Sequence, residues 1–385
     1  MIEVGSGRPV IAALATGIIF LLGVPMATIR AEPQQQSQLA KDVFLNVPVL
    51  GDIPVDEFMD TMGMFSAALS LGCVNCHGPD SINGWEKFAE ETELKQTARR
   101  MTLMVNAMNR NNFRGERKVT CYTCHRGDVT PKVNPSLAVQ YGLPFEDPND
   151  VQVPERSIPG TPSPDAVFDK YIDALGGAGR VASLTGFVAK GMYSGYETEH
   201  IPYPVEIFAQ APDRRTTIVN AFFGKSTRTF DGREGWIASG DKPVPLIRLN
   251  GGNLDGARIE AMISFPAQVR RLSGKWLVGQ TIVDKAQVRV VQGTSSGQPI
   301  NLYFDVNSGL LVRLVRFAET VVGNVPTQID FADYREVNGI KTPHRLTWTW
   351  TDGQTTVELS EIQPNVPIDS VRFARPAPAE LYRPK

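Results

Sequence analysis

The sequence predicts an α+β protein, and three textures along the chain predict it. Up to about residue 135, apolar residues recur at helical offsets of three and four. From Thr130 to Pro164 periodicity gives way to prolines, and beyond Gly177 apolar and polar residues alternate in short runs with glycine turns between them. The expected layout is an export segment over 1–31, an α-helical domain over 40–135, a Pro-rich linker over 136–164 and a β-rich domain over 165–377.

The chain opens with Arg8 and a fifteen-residue run, Val10 to Val24, in which Thr16 is the one plainly polar side chain, followed by Pro25. This reads as a signal peptide and is short for a membrane span, which needs about 20 apolar residues. Ile29 and Arg30 make a poor small-residue site ahead of cleavage after Ala31, so removal and retention as an N-terminal membrane anchor both stay open. With 385 residues, 42% hydrophobic and 21% charged, the chain has material for two folded domains. Its formal charge of -2 is neutral on polyanions, and no basic run with interleaved aromatics appears, so no nucleic acid is expected as a partner.

The helical half is organised around Cys73-Val74-Asn75-Cys76-His77 and its repeat, Cys121-Tyr122-Thr123-Cys124-His125. C-x-x-C-H is the attachment signal for c-type haem. Two residues between the cysteines let both thiols, Cys73 with Cys76 and Cys121 with Cys124, reach one macrocycle as thioethers. The following histidine, His77 or His125, then stands where the iron must lie. A thioredoxin-like pair, a zinc site or disulfides could use C-x-x-C, but all four cysteines fall in the two motifs and each motif ends in histidine. Two covalently bound haem c groups are expected. Attachment of this kind belongs outside the bacterial cytoplasmic membrane, in agreement with the export run, so the periplasm or its membrane face is the expected location.

Each motif follows an amphipathic helix. Val55, Phe58, Met59, Met62, Phe65, Ser66 and Leu69 form one stripe, with Met64 two positions from Met62 and so on roughly the opposite face. Leu94, Ala98, Met101, Val105 and Met108 form a second stripe over about Thr92 to Met108. Of four histidines two are used by the motifs, and His200 and His344 lie far away as surface or core residues. Methionine on both irons is the economical solution, Met62 for the first and Met101 for the second, although a stripe methionine can equally fill a core. Arg99, Arg100 and Arg126 are candidates for pairing haem propionates, or ordinary solvated arginines.

Val49-Leu50-Gly51-Asp52, Asp56 to Met62, Ala98-Arg99-Arg100-Met101 and Val119 to Gly127 together resemble the cytochrome c subunit of photosynthetic reaction centres, over about residues 40 to 135. The resemblance implies the same distal ligands, Met62 and Met101. Well-known members carry four haems and this chain matches their first half. The histidine that family places between the second methionine and its motif has no counterpart in Asn111 to Lys118.

In the second half, Ser163 followed by Pro164 is a helix start, Val167, Phe168, Tyr171, Ile172 and Leu175 a stripe, and Gly176-Gly177 a stop. The runs Val205 to Ala209, Thr216 to Phe223, Ala286 to Val291, Asn301 to Asp305 and Leu310 to Phe317 read as strands. Asp231-Gly232, Asn307-Ser308-Gly309, Asn338-Gly339 and Asp352-Gly353 read as hairpin turns. A curved antiparallel sheet or half-barrel wrapped on one helix follows. The texture at Tyr171 to Gly177, Phe230-Asp231-Gly232 with Trp236, and Phe304-Asp305 with Gly309-Leu310-Leu311 is similar to the periplasmic lipoprotein-carrier family, over roughly 165 to 375. Its concave face would pack a core, dock a partner or hold a lipid or other apolar ligand.

The function expected is single-electron transfer by a periplasmic dihaem cytochrome without substrate chemistry, exchanging electrons with a soluble cytochrome, a membrane complex or a reaction centre. The alternatives are a dihaem peroxidase-type enzyme, which would need an open iron, and an apolar-ligand carrier with the haems as accessories.

Overall fold

The computed structural model describes residues 37–137, 142, 147–151, 153–155 and 160–382. The export run and parts of the Pro-rich segment lie outside the described residues. Residues Ser37–Lys385 belong to one compact unit. Among the described residues no helix is long and apolar enough to cross a membrane.

The helical part contains α1 (Ala40–Val43), α2 (Val55–Leu69), α3 (Cys73–His77), α4 (Glu93–Asn112) and α5 (Cys121–His125). The first stripe predicts the bounds of α2, which ends on Ser70 in a left-handed conformation. Thr92 caps α4, accepting from the Lys95 amide at 3.2 Å. The C-x-x-C-H motifs each form one helical turn, α3 and α5, closed by Gly78 and Arg126 at positive φ.

The sheet part begins with α6 (Pro164–Leu175), where Ser163 accepts from the Ala166 amide and Gly176 at φ 127° stops the helix. A Cβ on Gly176 would stand 2.2 Å from the Gly339 carbonyl oxygen, so both conformation and space require glycine there. After α7 (Ala178–Ala182) come β1 (Gly186–Gly195), β2 (Tyr203–Gln210), β3 (Arg214–Ala221), β4 (Gly224–Phe230), β5 (Gly235–Ala238) and β6 (Ile247–Arg248). α8 (Gly251–Ile263) intervenes before β7 (Leu277–Val283), β8 (Ala286–Ser295), β9 (Gln298–Asp305), β10 (Leu311–Thr320), β11 (Gly323–Val337), β12 (Ile340–Trp350) and β13 (Gly353–Pro364). All thirteen pair antiparallel in the order β6-β5-β4-β3-β2-β1-β13-β12-β11-β10-β9-β8-β7, two meanders joined by the β1–β13 ladder.

Strand alternation divides the sheet into two apolar faces. On one, Ile300, Leu302 and Phe304 of β9 and Ile329 and Phe331 of β11 pack on Phe168, Tyr171 and Leu175 of α6 and on Ile259 and Met262 of α8. On the other, Val288, Val290, Tyr303 and Val315 are covered by Val151 and Val153 of the Pro-rich segment, which here wraps the sheet. The turns form as their side chains dictate. Asp231 accepts from the amides of Arg233 and Glu234 at 2.7 Å, and Asp305 accepts from the Ser308 amide at 2.6 Å.

The sequence reading of one helix on the sheet needs correction, because α8 is a second. Its glycines hide it. Three in thirteen residues weaken the helical signal, yet two are sites of close approach. A Cβ on Gly252 would come 2.5 Å from the Ala318 Cβ, and one on Gly256 2.2 Å from the Arg316 Cζ.

Candidate haem-binding sites

The two motif histidines are oriented alike. His77 Nδ1 lies 2.9 Å from the Phe88 carbonyl oxygen, and His125 Nδ1 lies 3.0 Å from that of Asp128. A carbonyl can only accept, so each contact places a proton on Nδ1, and in the neutral tautomer so selected the Nε2 lone pair is the one available to a metal. Burial, reinforced by the nearby Lys95 and Arg99 charges, pushes the His77 pKa below its ordinary value, against the raising effect of the Phe88 contact, a direction that favours the neutral imidazole. Lys95 Nζ donates to the same Phe88 oxygen at 2.8 Å.

All four cysteines are free thiols. Cys73 and Cys124 are exposed, Cys76 is half-buried and Cys121 is buried. Burial raises the Cys76 pKa and pushes that of Cys121 up to about 11. Among the described residues no three His, Cys, Asp or Glu side chains converge as a metal cluster, so the two cysteine pairs do not combine into one tetrahedral site. Free thiol pairs, each one turn from an imidazole with its Nε2 available, fit covalently attached haem.

The two amphipathic helices are tied to the motifs. Thr92, at the start of α4, donates to the Cys76 carbonyl at 2.6 Å. Asn109, buried near the end of α4, donates to the Val119 carbonyl at 2.7 Å and accepts from the amides of Lys118 and Val119, fixing the strand of chain that enters α5. The Gly127 amide, just past α5, donates to the Ala68 carbonyl of α2 at 2.9 Å, so the exit of the second motif rests on the helix that precedes the first.

Met62 is half-buried on α2, whereas Met64 is 5% exposed and packs with Ala68 against Val322 and Val325 of the β10–β11 hairpin. The Met64 and Ala68 side of α2, roughly opposite Met62, therefore docks on this hairpin, while at the helix start Val55 of the stripe is buried with Val244 and Ile247 of the sheet part. Met62, Phe65 and Leu69 remain only half-covered by protein. Met101 is 39% exposed on α4, in a row with exposed Leu94 and Met104, and the buried residues of that helix are Thr102, Val105 and Asn109. Both methionines thus project from apolar surfaces that the polypeptide leaves partly uncovered, which is unusual for side chains serving only as core. Arg99 pairs with Glu91 at 2.6 Å and Arg100 with Thr97 at 2.9 Å, while Arg126 is exposed. His200 is exposed in a turn and His344 is buried with Nδ1 2.9 Å from the Thr342 carbonyl, far from the motifs in sequence and absorbed by local structure.

Sequence reasoning missed Phe88, Asp128, Thr92 and Asn109. The first two act through backbone carbonyls and leave no side-chain signal, whereas Thr92 was legible as an N-cap.

The model of the family described as photosynthetic reaction centre cytochrome C subunit matches residues 23–139. The photosynthetic reaction center cytochrome c subunit of Roseobacter denitrificans is 39% identical over 107 residues, 26% of this chain and 28% of that protein. That of Thermochromatium tepidum is 39% identical over 97 residues, 24% and 23% of the two chains. The chain thus spans about a quarter of the length of these curated relatives. Among solved structures, a LolA superfamily protein from Nitrosomonas europaea aligns at TM-score 0.38 and 11% identity, covering 56% of this chain and 98% of that one. A DUF1329 family protein from Desulfovibrio piger aligns at TM-score 0.38 and 10% identity, covering 55% and 96%. Over residues 23–139, with both C-x-x-C-H motifs and both methionine helices inside the match, this chain is similar to the photosynthetic reaction centre cytochrome C subunit.

Proposed function

We propose that the protein is a periplasm-facing dihaem c-type cytochrome that passes single electrons between redox partner proteins. The observation that carries this reading is the pair of histidines, each directly after a C-x-x-C and each with Nδ1 turned to a backbone carbonyl. Bound haem supplies reversible one-electron exchange at its iron. The residues here would bind and orient it: Cys73 and Cys76 would hold one group, Cys121 and Cys124 the other, and His77 and His125 would offer their imidazole nitrogens. Met62 and Met101 would each offer a thioether sulfur to an iron. The half-covered stripes of α2 and α4 would exclude water from the haem faces. The partner class is a soluble cytochrome, a membrane complex or a reaction centre.

Electron paramagnetic resonance of the fully oxidised protein, with haem counted on the same sample, tests the reading. Two haems per chain and two low-spin signals of the His/Met kind support it. A high-spin signal from one haem would point instead to a peroxidase-type enzyme with an open iron and overturn the carrier assignment.

A second reading concerns the sheet. A cavity of about 90 Å³ lies between α6, α8 and the sheet, lined by Tyr171, Leu175, Ile207, Phe331, Leu346 and Trp348, with Arg215 and Glu260 in its wall. Its apolar lining suits a short segment of a lipid or other apolar ligand. Solvent extraction of the purified protein followed by mass spectrometry would detect such a molecule, and its repeated absence would count against this role.

A further inference from the structure

Helix α2 is gripped by the sheet part of the molecule at three separate places. At its start Asp56 accepts from the Asn250 backbone amide at 2.6 Å and from Asn250 Nδ2 at 2.9 Å, and one turn later Asp60 accepts from Asn253 Nδ2 at 2.7 Å. Both asparagines belong to the entry of α8. Toward its end, Met64 and Ala68 pack on Val322 and Val325 of the β10–β11 hairpin. Between these, Gly63 faces the β12–β13 turn, and a Cβ on it would stand 2.8 Å from Thr351 Oγ1 and 3.3 Å from Asp352 Oδ1.

That last contact is the informative one. Glycine inside a helix weakens it, and Gly63 is the ninth of fifteen residues in α2, where local propensity alone would select against it. The close seat against Thr351 gives it a reason. It is also the chain neighbour of Met62, so any displacement of the helix from the turn moves the Met62 backbone with it. The Gly63, Met64 and Ala68 contacts lie on sides of the helix that do not bear Met62, which leaves that side chain to project from a fixed base.

We propose that Gly63 and the Thr351–Asp352 turn are positioning residues for the distal side of the first haem, so that the sheet, and not α2 alone, sets where the Met62 sulfur is delivered. This rests on the reading of Met62 as an iron ligand. It gives the sheet part a role in the redox chemistry that needs no ligand in its cavity.

The test compares Gly63→Ala, Gly63→Ala/Thr351→Ala, Asn253→Ala and Met62→Ala in the haem-loaded full chain. Three readouts are taken: the oxidised paramagnetic resonance spectrum, carbon monoxide uptake after reduction, and amide exchange across Val55–Leu69. In Gly63→Ala the added methyl lifts the helix from the turn. One of the two His/Met signals should shift or turn high-spin, one haem of two should take up carbon monoxide, and exchange in α2 should quicken. Removing Thr351 Oγ1 in the double variant should restore the parent behaviour. Asn253→Ala releases Asp60 from α8 and should move the same haem, which keeps the test available where Gly63→Ala does not fold. A folded Gly63→Ala with the parental spectrum overturns the proposal while Met62→Ala still opens one haem. Failure of the double variant to restore the spectrum also overturns it. If Met62→Ala leaves both haems low-spin, the ligand reading itself is wrong and the proposal falls with it.

Discussion

A thioether and an imidazole differ in how strongly they favour ferric iron, and that difference gives the sharpest test at the scale of single residues. Replacing Met62 by His should lower one reduction potential by on the order of 0.1 V, within the roughly 0.8 V range that axial ligands span, and leave the other nearly unmoved. Potentiometric titration followed in the visible bands reads both; equal movement of the two, or none, removes Met62 from the ligand set. His77 and His125 were legible from the C-x-x-C-H spacing. Their orienting partners were not, because Phe88 and Asp128 contribute carbonyl oxygens that any residue carries. Asp231 and Asp305 were legible as turn residues, since a short carboxylate reaching amides two and three positions on needs only local chain.

Two elements carry predictions of their own. Asn109, 3% exposed, makes three hydrogen bonds that hold the entry to α5 on α4. Asn109→Ala should cost about 2–3 kcal/mol, the penalty of leaving buried backbone groups unpaired, and should disturb the spectrum of the second haem more than that of the first. Thermal melts with the visible spectrum recorded on the same sample would show both. The loop between β5 and β6 is tied to the β1–β2 connection by Lys242, whose Nζ lies 2.6 Å from Glu197 and 2.9 Å from Asp241 of its own loop. The Lys242 charge, with its hydrogen bond, holds the Glu197 carboxyl below its usual range. A depressed acid stabilises the fold above its unfolded pKa, and that contribution is lost as pH falls through the folded value. Glu197→Gln should therefore cost about 2 kcal/mol near pH 7, discounted for the partial exposure of the pair, and progressively less below about pH 4.5. Melting temperatures of the two proteins that stayed equally far apart from pH 7 to pH 3 would refute the assignment.

Across the whole molecule, the helical and sheet parts share contacts that couple their stability. Asp56, Asp60, Gly63, Met64 and Ala68 of α2 all rest on α8 or the sheet, and Arg117 pairs with Glu319 of β10 at 2.7 Å. Unfolding followed by the haem bands and by the β signal in far-ultraviolet circular dichroism should give coincident transitions. Two separated transitions would mean that the interface contributes little to either part.

Much of this architecture was written locally. Helical periodicity set α2 and α4, Ser163-Pro164 and Gly176 bounded α6, and the turn glycines marked the hairpins, because each depends on residues within a few positions of one another. The same holds for the thiols and imidazoles of the two C-x-x-C-H motifs, whose five-residue spacing is what marks them as candidate haem-binding groups. What needed the tertiary structure depends on distance in sequence. The glycines of α8 look like helix breakers until Ala318 and Arg316 are seen against them. The docking face of α2 could not be chosen from its stripe, since the half-covered Met62 side and the buried Met64 side are told apart by a hairpin some 260 residues downstream. Local spacing marked the candidate haem-binding residues. Only packing against the sheet decided which side of α2 was left half-covered.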